Sequence, residues 1–390
     1  GAPPGWAVFG RHVDDGAGVA SSQRVIDHLQ HVLSAGWNIK LSRWKKVLGF
    51  DITIKDESNR STVVVSGLAA MQRMFAAHAE GEMVIKPRHP YPSNINEVTY
   101  APLPAEDSPE YATTLALHEQ HRSGLGFSVW VMRAHVQLVY PTSRLCAYAS
   151  APSAFNHKVW KQSIMYELAH PQPYTVGGVF DRQSLSISSD PHMPFASRAY
   201  ELGFHVMEDA NLGTIKPSQD TDLAPIASGS SDAAARAAAR SVTGVVGMLG
   251  GAPLFTVAVR QHLVVPEVHT SELHAAGTAV QLSISHAGIL QEVGILQLRP
   301  TPIFSDSQST IFVANSQQAV KRSVWTARRA AALRDSVDSK AVQFFKVASA
   351  DNCADMLTRP VTCAEMRRLM SYIAPHTVGD GVDAWRSVPQ

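Results

Sequence analysis

Residues 242–259 read VTGVVGMLGGAPLFTVAV, two runs of apolar and β-branched residues on either side of a Gly-Gly-Ala-Pro segment. Such a pattern is typical of two paired strands joined by a turn. The apolar residues from Val268 to Leu290 then predict one long helix, and Thr301–Phe304 and Val342–Val347 predict short strands between further helices. Antiparallel strands followed by alternating strands and helices predict an α/β (α+β) domain with a mixed sheet over residues 226–375.

The remainder of the chain divides by composition. Residues 1–80 alternate predicted strands and helices, which favours a compact α/β segment. Residues 81–115 contain six prolines, which interrupt helices and central strands and so predict a long loop or linker. Residues 116–225 are predicted to be helical at first and then a connector with weak strands, and residues 376–390 are a tail.

Charge and composition exclude several classes of protein. The chain has 390 residues, 34 basic and 33 acidic, and a hydrophobic fraction of 45%, which suits a globular protein and not a binder that depends on bulk positive charge. No run of 18 apolar residues occurs, so we expect no membrane partner. Cys146, Cys353 and Cys363 are too scattered for a disulfide framework. We expect a reducing compartment inside the cell, without a choice among nucleus, cytoplasm and organelle.

Four acidic residues stand at the boundaries of predicted elements in the C-terminal part. They are Asp232, Glu272, Asp306 and Asp355. Carboxylates at strand ends and helix starts can converge above a sheet, where they repel one another unless a divalent cation neutralises them. Two Mg²⁺ ions at such a site would activate water and stabilise the leaving oxygen of a phosphodiester. Taken singly, each acid is also explained as a cap or a helix-start charge.

The order of these acids and their flanking residues resembles the ribonuclease H domain of Copia-type (Pseudoviridae-like) retrotransposon polyproteins. The similar segments are Ser231-Asp232, Arg240–Gly244, Gly250–Pro253, Thr270–Ala275, Phe304–Ile311 and Asn352–Arg359. The resemblance implies that the four acids are catalytic and hold two Mg²⁺ ions. It also implies RNA, or an RNA–DNA hybrid, as the partner.

The N-terminal part resembles the reverse transcriptase of the same polyproteins. His12-Val13-Asp14-Asp15 is similar to the Tyr-Val-Asp-Asp box, which implies that Asp14 and Asp15 bind metal. Only eleven residues precede His12, so the resemblance implies a partial palm over 1–80 and a thumb- or connection-like region over 116–225. We therefore do not expect the chain to polymerise DNA unless a second chain supplies the missing aspartate.

One predicted helix near the C-terminus is strongly basic. Its five cationic residues are Lys321, Arg322, Arg328, Arg329 and Arg334. Such a face can follow a phosphate backbone, with affinity that falls steeply with salt. An ordinary solvated helix face explains the same pattern.

Two functions remain open from the sequence. The first is a ribonuclease H-type endonuclease that cuts RNA in RNA–DNA hybrids. The second is a domesticated, catalytically silent structural or RNA-binding subunit of a larger ribonucleoprotein, for example an organellar ribosome, with other protein chains as partners. Phe255 and Thr256 stand where the family has its pocket Trp, which favours the second function. A fragment encoded by a mobile element, without a cellular role, is a third alternative.

Overall fold

The fold is known from a computed structural model, which describes part of the chain. The described residues are 7–12, 15–20, 22–36, 45–57, 60–78, 86–171, 174–177, 203–212, 240–249, 252–262, 264–265, 267–292, 295, 297, 299–316 and 324–373. Within them, helices and strands alternate in a mixed α/β arrangement with three sheets. None of the described helices is long and apolar enough to cross a membrane.

The N-terminal part forms two small sheets. A hairpin pairs β1 with β2, and an antiparallel sheet of four strands has the order β3-β4-β5-β6. The elements are β1 (Ala7–His12), β2 (Asp15–Ala20), α1 (Gln23–Ser34), β3 (Lys46–Val47), β4 (Phe50–Glu57), β5 (Arg60–Ser66), α2 (Leu68–His78) and, far along the chain, β6 (Tyr174–Gly177).

Three helices follow the proline-rich segment, namely α3 (Tyr111–Val131), α4 (Val139–Cys146) and α5 (Ala154–Ala169). The segment itself is irregular, as its prolines predict, but it packs on the core: Ile95 is fully buried and Tyr91 nearly so. The Tyr91 hydroxyl accepts a hydrogen bond from the backbone N–H of Val361, near the other end of the chain. The segment is therefore an integral part of the fold and not a free spacer.

A buried pair ties the helices to the four-stranded sheet. The N–H of Gly67 donates to His135 Nε2 at 2.9 Å, so the proton of this imidazole is on Nδ1, which donates to Glu167 Oε1 at 2.8 Å. Both side chains are fully buried. The loss of one partner from such a buried hydrogen-bonded pair costs several kcal/mol, so the contact fixes the start of α2 against α5.

The C-terminal part is built on a five-stranded mixed sheet of order β11-β10-β7-β8-β9. Its elements are β7 (His205–Asn211), β8 (Val242–Leu249), β9 (Ala252–Arg260), α6 (Val268–Glu292), β10 (Thr301–Ser305), α7 (Gln308–Asn315), α8 (Val324–Asp338), β11 (Val342–Lys346), α9 (Asp355–Thr358) and α10 (Cys363–Ile373). Strand β7 is antiparallel to β8 and parallel to β10, and β8 is antiparallel to β9. The predicted mixed sheet with flanking helices is confirmed.

Both faces of this sheet are covered. On one face, Val206 and Ile303 join a cluster with Leu273 of α6 and Leu333 of α8. The alanines of α6 that face the cluster let the helix approach the strands closely. On the other face, Met207 belongs to a cluster that continues through α9 and α10 into α3, α4 and α5. The central strand β7 is accordingly buried on both sides.

The sheet begins earlier in the chain than the predicted boundary at residue 226. Its central strand, His205–Asn211, lies in the stretch predicted to be a connector with weak strands. The reason is local, because Glu208 and Asp209 interrupt the short apolar run Phe204–Met207 and hide the strand signal.

Candidate functional site

The carboxyl ends of β7 and β10 place several acidic residues at one edge of the sheet. The two strands are parallel, with Ser305 opposite Glu208, so Asp306 follows β10 beside Asp209 of β7. Glu208 and Asp209 are both buried, and Asp306 is partly exposed. An edge of this kind, where parallel strands end together, is a common place for functional side chains in α/β sheets.

Glu272, in the second turn of α6, adds a further acid to this edge. Nε2 of the buried Gln261 donates to Thr243 Oγ1 on β8 and to the backbone carbonyl of Ser271, both at 3.0 Å. These bonds fix the start of α6 against the sheet. Glu272 is 7% exposed, and its Oε2 has no hydrogen-bond partner. A buried carboxylate oxygen without a hydrogen-bond partner costs free energy unless the carboxyl group is protonated or its charge is neutralised.

Helix α9 brings Asp355 to the same place. The helix lies directly on β8 at Gly244, where a Cβ would be 2.7 Å from the carbonyl oxygen of Ala354. Thr358 Oγ1 donates a short hydrogen bond to Asp209 Oδ2. The Nδ2 of Asn352 donates to the backbone carbonyl of Glu208 at 2.9 Å, which fastens the entrance of the helix to β7.

Arg359 holds the carboxylate of Asp355. Its Nε and Nη2 donate to Oδ1 and Oδ2 of Asp355, which is a bidentate ion pair. The same guanidinium lies 3.5 Å from Glu365 Oε1 on α10. In the described structure, a cation of the protein thus occupies the oxygens of one of the four acids.

The charges of these carboxylates act on one another. Burial raises the pKa of Asp209 to about 7, assisted by the charges of Asp355 and Asp306 and opposed by the hydrogen bond from Thr358. Burial also raises the pKa of Glu272, and the charges of Glu208, Asp209 and Asp306 raise it further. The carboxylates therefore lie near enough to raise one another's pKa, whereas separate, solvated carboxylates would leave one another's pKa unchanged.

Glu208 is a further acid of the cluster. It is fully buried, and burial raises its pKa, with smaller increments from the charges of Asp209 and Asp306. The Ser305 hydroxyl is near enough to oppose this increase, although neither carboxylate oxygen has a hydrogen bond of ordinary geometry. Asp355 also has a raised pKa, from burial first, and the ion pair with Arg359 opposes the increase.

The donor chemistry of the cluster suits a hard divalent cation, because carboxylate oxygens are the ligands that Mg²⁺ prefers. In the described ranges, however, no group of three or more His, Cys, Asp or Glu side chains is arranged to hold a metal ion. The cluster therefore contains suitable oxygen ligands, but among the described residues they are not positioned to coordinate a metal ion together.

The structure brings together three of the four predicted acids, Glu272, Asp306 and Asp355. Asp232 lies outside the described residues, and its role stays a prediction. Asp209, which the sequence reasoning did not select, stands on the central strand among the other three. The sequence contained a signal for Asp209, namely an acid at the end of a short apolar run. Asp306 was selected on that same pattern.

The predicted polymerase residues lie elsewhere, in the hairpin of β1 and β2. Asp15 opens β2 and pairs with His12, and Asp14 lies outside the described residues. The role of this hairpin in metal binding stays a prediction.

The predicted basic helix corresponds to α8, of which three cationic residues are described. Arg328 is exposed. Arg329 Nη2 lies 3.0 Å from His274 Nε2 on α6, and Arg334 Nε donates to the carbonyl of Val313 on α7 at 2.9 Å. Two of the three therefore connect helices. Lys321 and Arg322 lie outside the described residues.

Comparison with known proteins gave structural likenesses only. No protein-family profile matches the chain, and no curated protein matches it. Among solved structures, LC11-RNase H1 in complex with an RNA/DNA hybrid is 12% identical, with 40% of this chain and 93% of that chain covered and a TM-score of 0.27. The N-terminal ribonuclease H domain of a Mycobacterium tuberculosis protein, solved as a fusion with maltose-binding protein, is 13% identical, with coverages of 42% and 98% and a TM-score of 0.26.

Proposed function

We propose that the chain is a ribonuclease H-like nuclease that cuts the RNA strand of an RNA–DNA hybrid. The observation that carries the proposal is the meeting of Asp209, Glu272, Asp306 and Asp355 at one end of a mixed sheet, from four separate elements. Buried carboxylates that repel one another destabilise the folded protein unless a bound cation or protonation neutralises their charge. The sequence motifs around three of these acids support the same reading.

The four carboxylates would hold two Mg²⁺ ions. When bound, the ions supply Lewis-acid activation of water and stabilisation of the leaving oxygen of the phosphodiester. Because burial and repulsion favour the protonated carboxyl groups, binding of the ions releases protons, and affinity for Mg²⁺ rises with pH. Thr358 orients Asp209 through its hydroxyl, and the partly exposed Asp306 lies nearest to solvent and to an incoming strand.

The decisive experiment is Mg²⁺-dependent cleavage of a labelled RNA–DNA hybrid, with double-stranded RNA and double-stranded DNA as substrate controls. Asp209→Asn and Asp306→Asn are expected to lose at least about a hundredfold in rate, since each removes a metal ligand while retaining size. Asp338→Asn, on the exposed end of α8, is the matched control and should cleave as the parent does. Equal rates in all three variants would exclude the carboxylate site as the source of any cleavage.

A second candidate function is a catalytically silent RNA-binding subunit of a larger ribonucleoprotein. The observation that favours it is the bidentate pair of Arg359 with Asp355, which engages both oxygens of a carboxylate that a nuclease needs. This candidate predicts salt-sensitive binding of RNA without cleavage at any Mg²⁺ concentration. The same assay therefore separates the two functions, because only the nuclease loses an activity in Asp306→Asn.

A further inference from the structure

Arg359 lies between the carboxylates of two helices. It follows α9, one helical turn after Asp355, so the two side chains share one side of that helix. Its Nε and Nη2 donate to the two carboxylate oxygens of Asp355, and Nη2 is 3.5 Å from Glu365 Oε1 on α10. One guanidinium therefore contacts an acid of the carboxylate cluster and an acid outside it.

Hydrogen bonds at the start of α10 hold Glu365 in place. The backbone N–H of Glu365 donates to Thr362 Oγ1 at 3.2 Å, and the N–H of Thr362 donates to Glu365 Oε2 at 2.8 Å. This reciprocal pair is a capping box. The capping box uses Oε2, whereas Oε1 is the oxygen near Arg359. Glu365 is therefore a fixed second partner for the guanidinium.

The two partners of the ion pair differ in their freedom to move. The side chain of Arg359 is 40% exposed, whereas that of Asp355 is 12% exposed. A long arginine side chain can carry its charge into solvent, but a short aspartate side chain on a buried helix cannot follow it. A change at this contact therefore consists of Arg359 leaving Asp355, with Glu365 still within its reach.

Arg359 supplies positive charge to the carboxylate cluster. Burial raises the pKa of Asp355, and the hydrogen bonds and charge of Arg359 oppose the increase. The same charge opposes the increase that burial causes in the pKa of Asp209. A divalent cation at the oxygens of Asp355 would lie close to the guanidinium, and two cations so close together repel. The pairing of Asp355 with Arg359 is thus a physical reason why the described carboxylates are not positioned to coordinate an ion together.

We propose that Arg359 is a tethered counter-ion that competes with a divalent cation for Asp355, and that it thereby sets the cation concentration at which the carboxylate site is filled. The inference rests on the proposed function, because it takes the cation to be the Mg²⁺ of that nuclease. Arg359 is a positioning residue in this role, since it acts on the reaction only through Asp355. Glu365 retains the guanidinium after it leaves Asp355, which lowers the free-energy cost of the exchange.

The test measures cation binding without nucleic acid, so that it does not depend on cleavage. Calorimetric titration of the full chain with MgCl₂ at pH 8.5 and constant salt gives the dissociation constant. Arg359→Gln should bind Mg²⁺ at least about fivefold more tightly than the parent, as expected when a partly exposed bidentate competitor is removed. The same variant should have a lower melting temperature than the parent in EDTA, because Asp355 loses its counter-ion, and Mg²⁺ should reduce that difference.

Further variants separate competition from the loss of a positive charge. Arg359→Lys keeps the charge but cannot make the paired hydrogen bonds, so it should still bind Mg²⁺ about twofold more tightly than the parent. Glu365→Gln removes the second anionic partner of Arg359, so it should bind Mg²⁺ more weakly than the parent. These two variants decide the matter if Arg359→Gln does not fold. Arg133→Gln, at an exposed arginine after α3, is the control and should keep the dissociation constant of the parent.

The possible results separate this inference from the nuclease proposal. Tighter Mg²⁺ binding by both Arg359→Gln and Arg359→Lys supports the counter-ion, whether or not the parent cuts a hybrid. Cleavage by the parent together with equal dissociation constants in the parent and both arginine variants overturns the counter-ion and leaves the nuclease intact. Tighter binding by Arg359→Gln alone is an effect of charge and also overturns it, as does the absence of Mg²⁺ binding in the parent and in both variants.

Discussion

Replacing Asp209 by Asn should make the metal-free protein more stable at alkaline pH. The side chain is buried, and burial together with the charges of Asp355 and Asp306 raises its pKa from 3.8 to about 7. An Asn of the same size carries no charge to desolvate, and its amide oxygen still accepts from Thr358. The variant therefore retains the shape of the site and loses only the electrostatic penalty.

The size and sign of the effect follow from proton linkage. The folded-state pKa lies above the unfolded value, so the protonated folded form is favoured, and the free energy of unfolding falls as pH rises from about 4 to about 7. A shift of about three units corresponds to roughly 4 kcal/mol once the group is ionised. The hydrogen bond from Thr358 is already included in this folded-state pKa, so a net gain of about 4 kcal/mol at pH 8.5 is expected for Asp209→Asn.

The assay is urea denaturation in EDTA at pH 4 and at pH 8.5. The parent and Asp209→Asn should unfold at similar urea concentrations at pH 4, and the variant at higher concentrations at pH 8.5. Mg²⁺ at pH 8.5 should restore stability to the parent more than to the variant, which has lost a ligand. Asp338→Asn, at an exposed carboxylate, should follow the parent throughout. A variant as unstable as the parent at pH 8.5 would refute the placement of Asp209 in a buried acidic cluster.

Three further substitutions test the packing that positions the site. Gly244→Ala should displace α9 from β8. Urea titration should show a free energy of unfolding lower by about 1–3 kcal/mol, and the cleavage assay should show a proportionally larger loss of rate. Glu167→Leu should cost about 3–5 kcal/mol by leaving His135 without its buried acceptor, while Glu167→Gln keeps an acceptor and should cost less; a similar loss in both would contradict the pairing. Gly124→Ala places a Cβ 2.4 Å from Trp160 and should lower the melting temperature by several degrees, whereas Gly126→Ala, where the space is open, should not.

Local patterns predicted the C-terminal helices and most of its strands. The long apolar stretch from Val268 is a helix that ends at Glu292, and the two predicted strands β8 and β9 are antiparallel partners that end at Leu249 and begin at Ala252. Proline at 360 separates α9 from α10, as expected for a residue without a backbone N–H. Each of these signals is contained within a few neighbouring residues.

The elements that the sequence did not reveal depend on distant partners. Strand β7 is short and carries two acids, and it is recognisable as a strand only because β8 and β10 pair with it on both sides. Strand β6 adds to β5 from more than a hundred residues away. The same difference decided which acids could be selected from the sequence. Asp306 follows a strand and Asp355 opens a helix, and both elements have clear local patterns, whereas Asp209 could be selected only if β7 was recognised as a strand.

The apolar cluster that joins the second face of the sheet to the helices has a practical consequence. Met207 on β7, Leu357 on α9 and Trp160 on α5 belong to the same cluster, and Tyr91 reaches across to Val361. In the described residues, the face of the sheet that carries Met207 is therefore apolar and covered by the helices. A domain boundary placed between these helices and the strands would divide one hydrophobic core. A fragment that starts at β7 should be insoluble, and the helices and the sheet should melt in one transition.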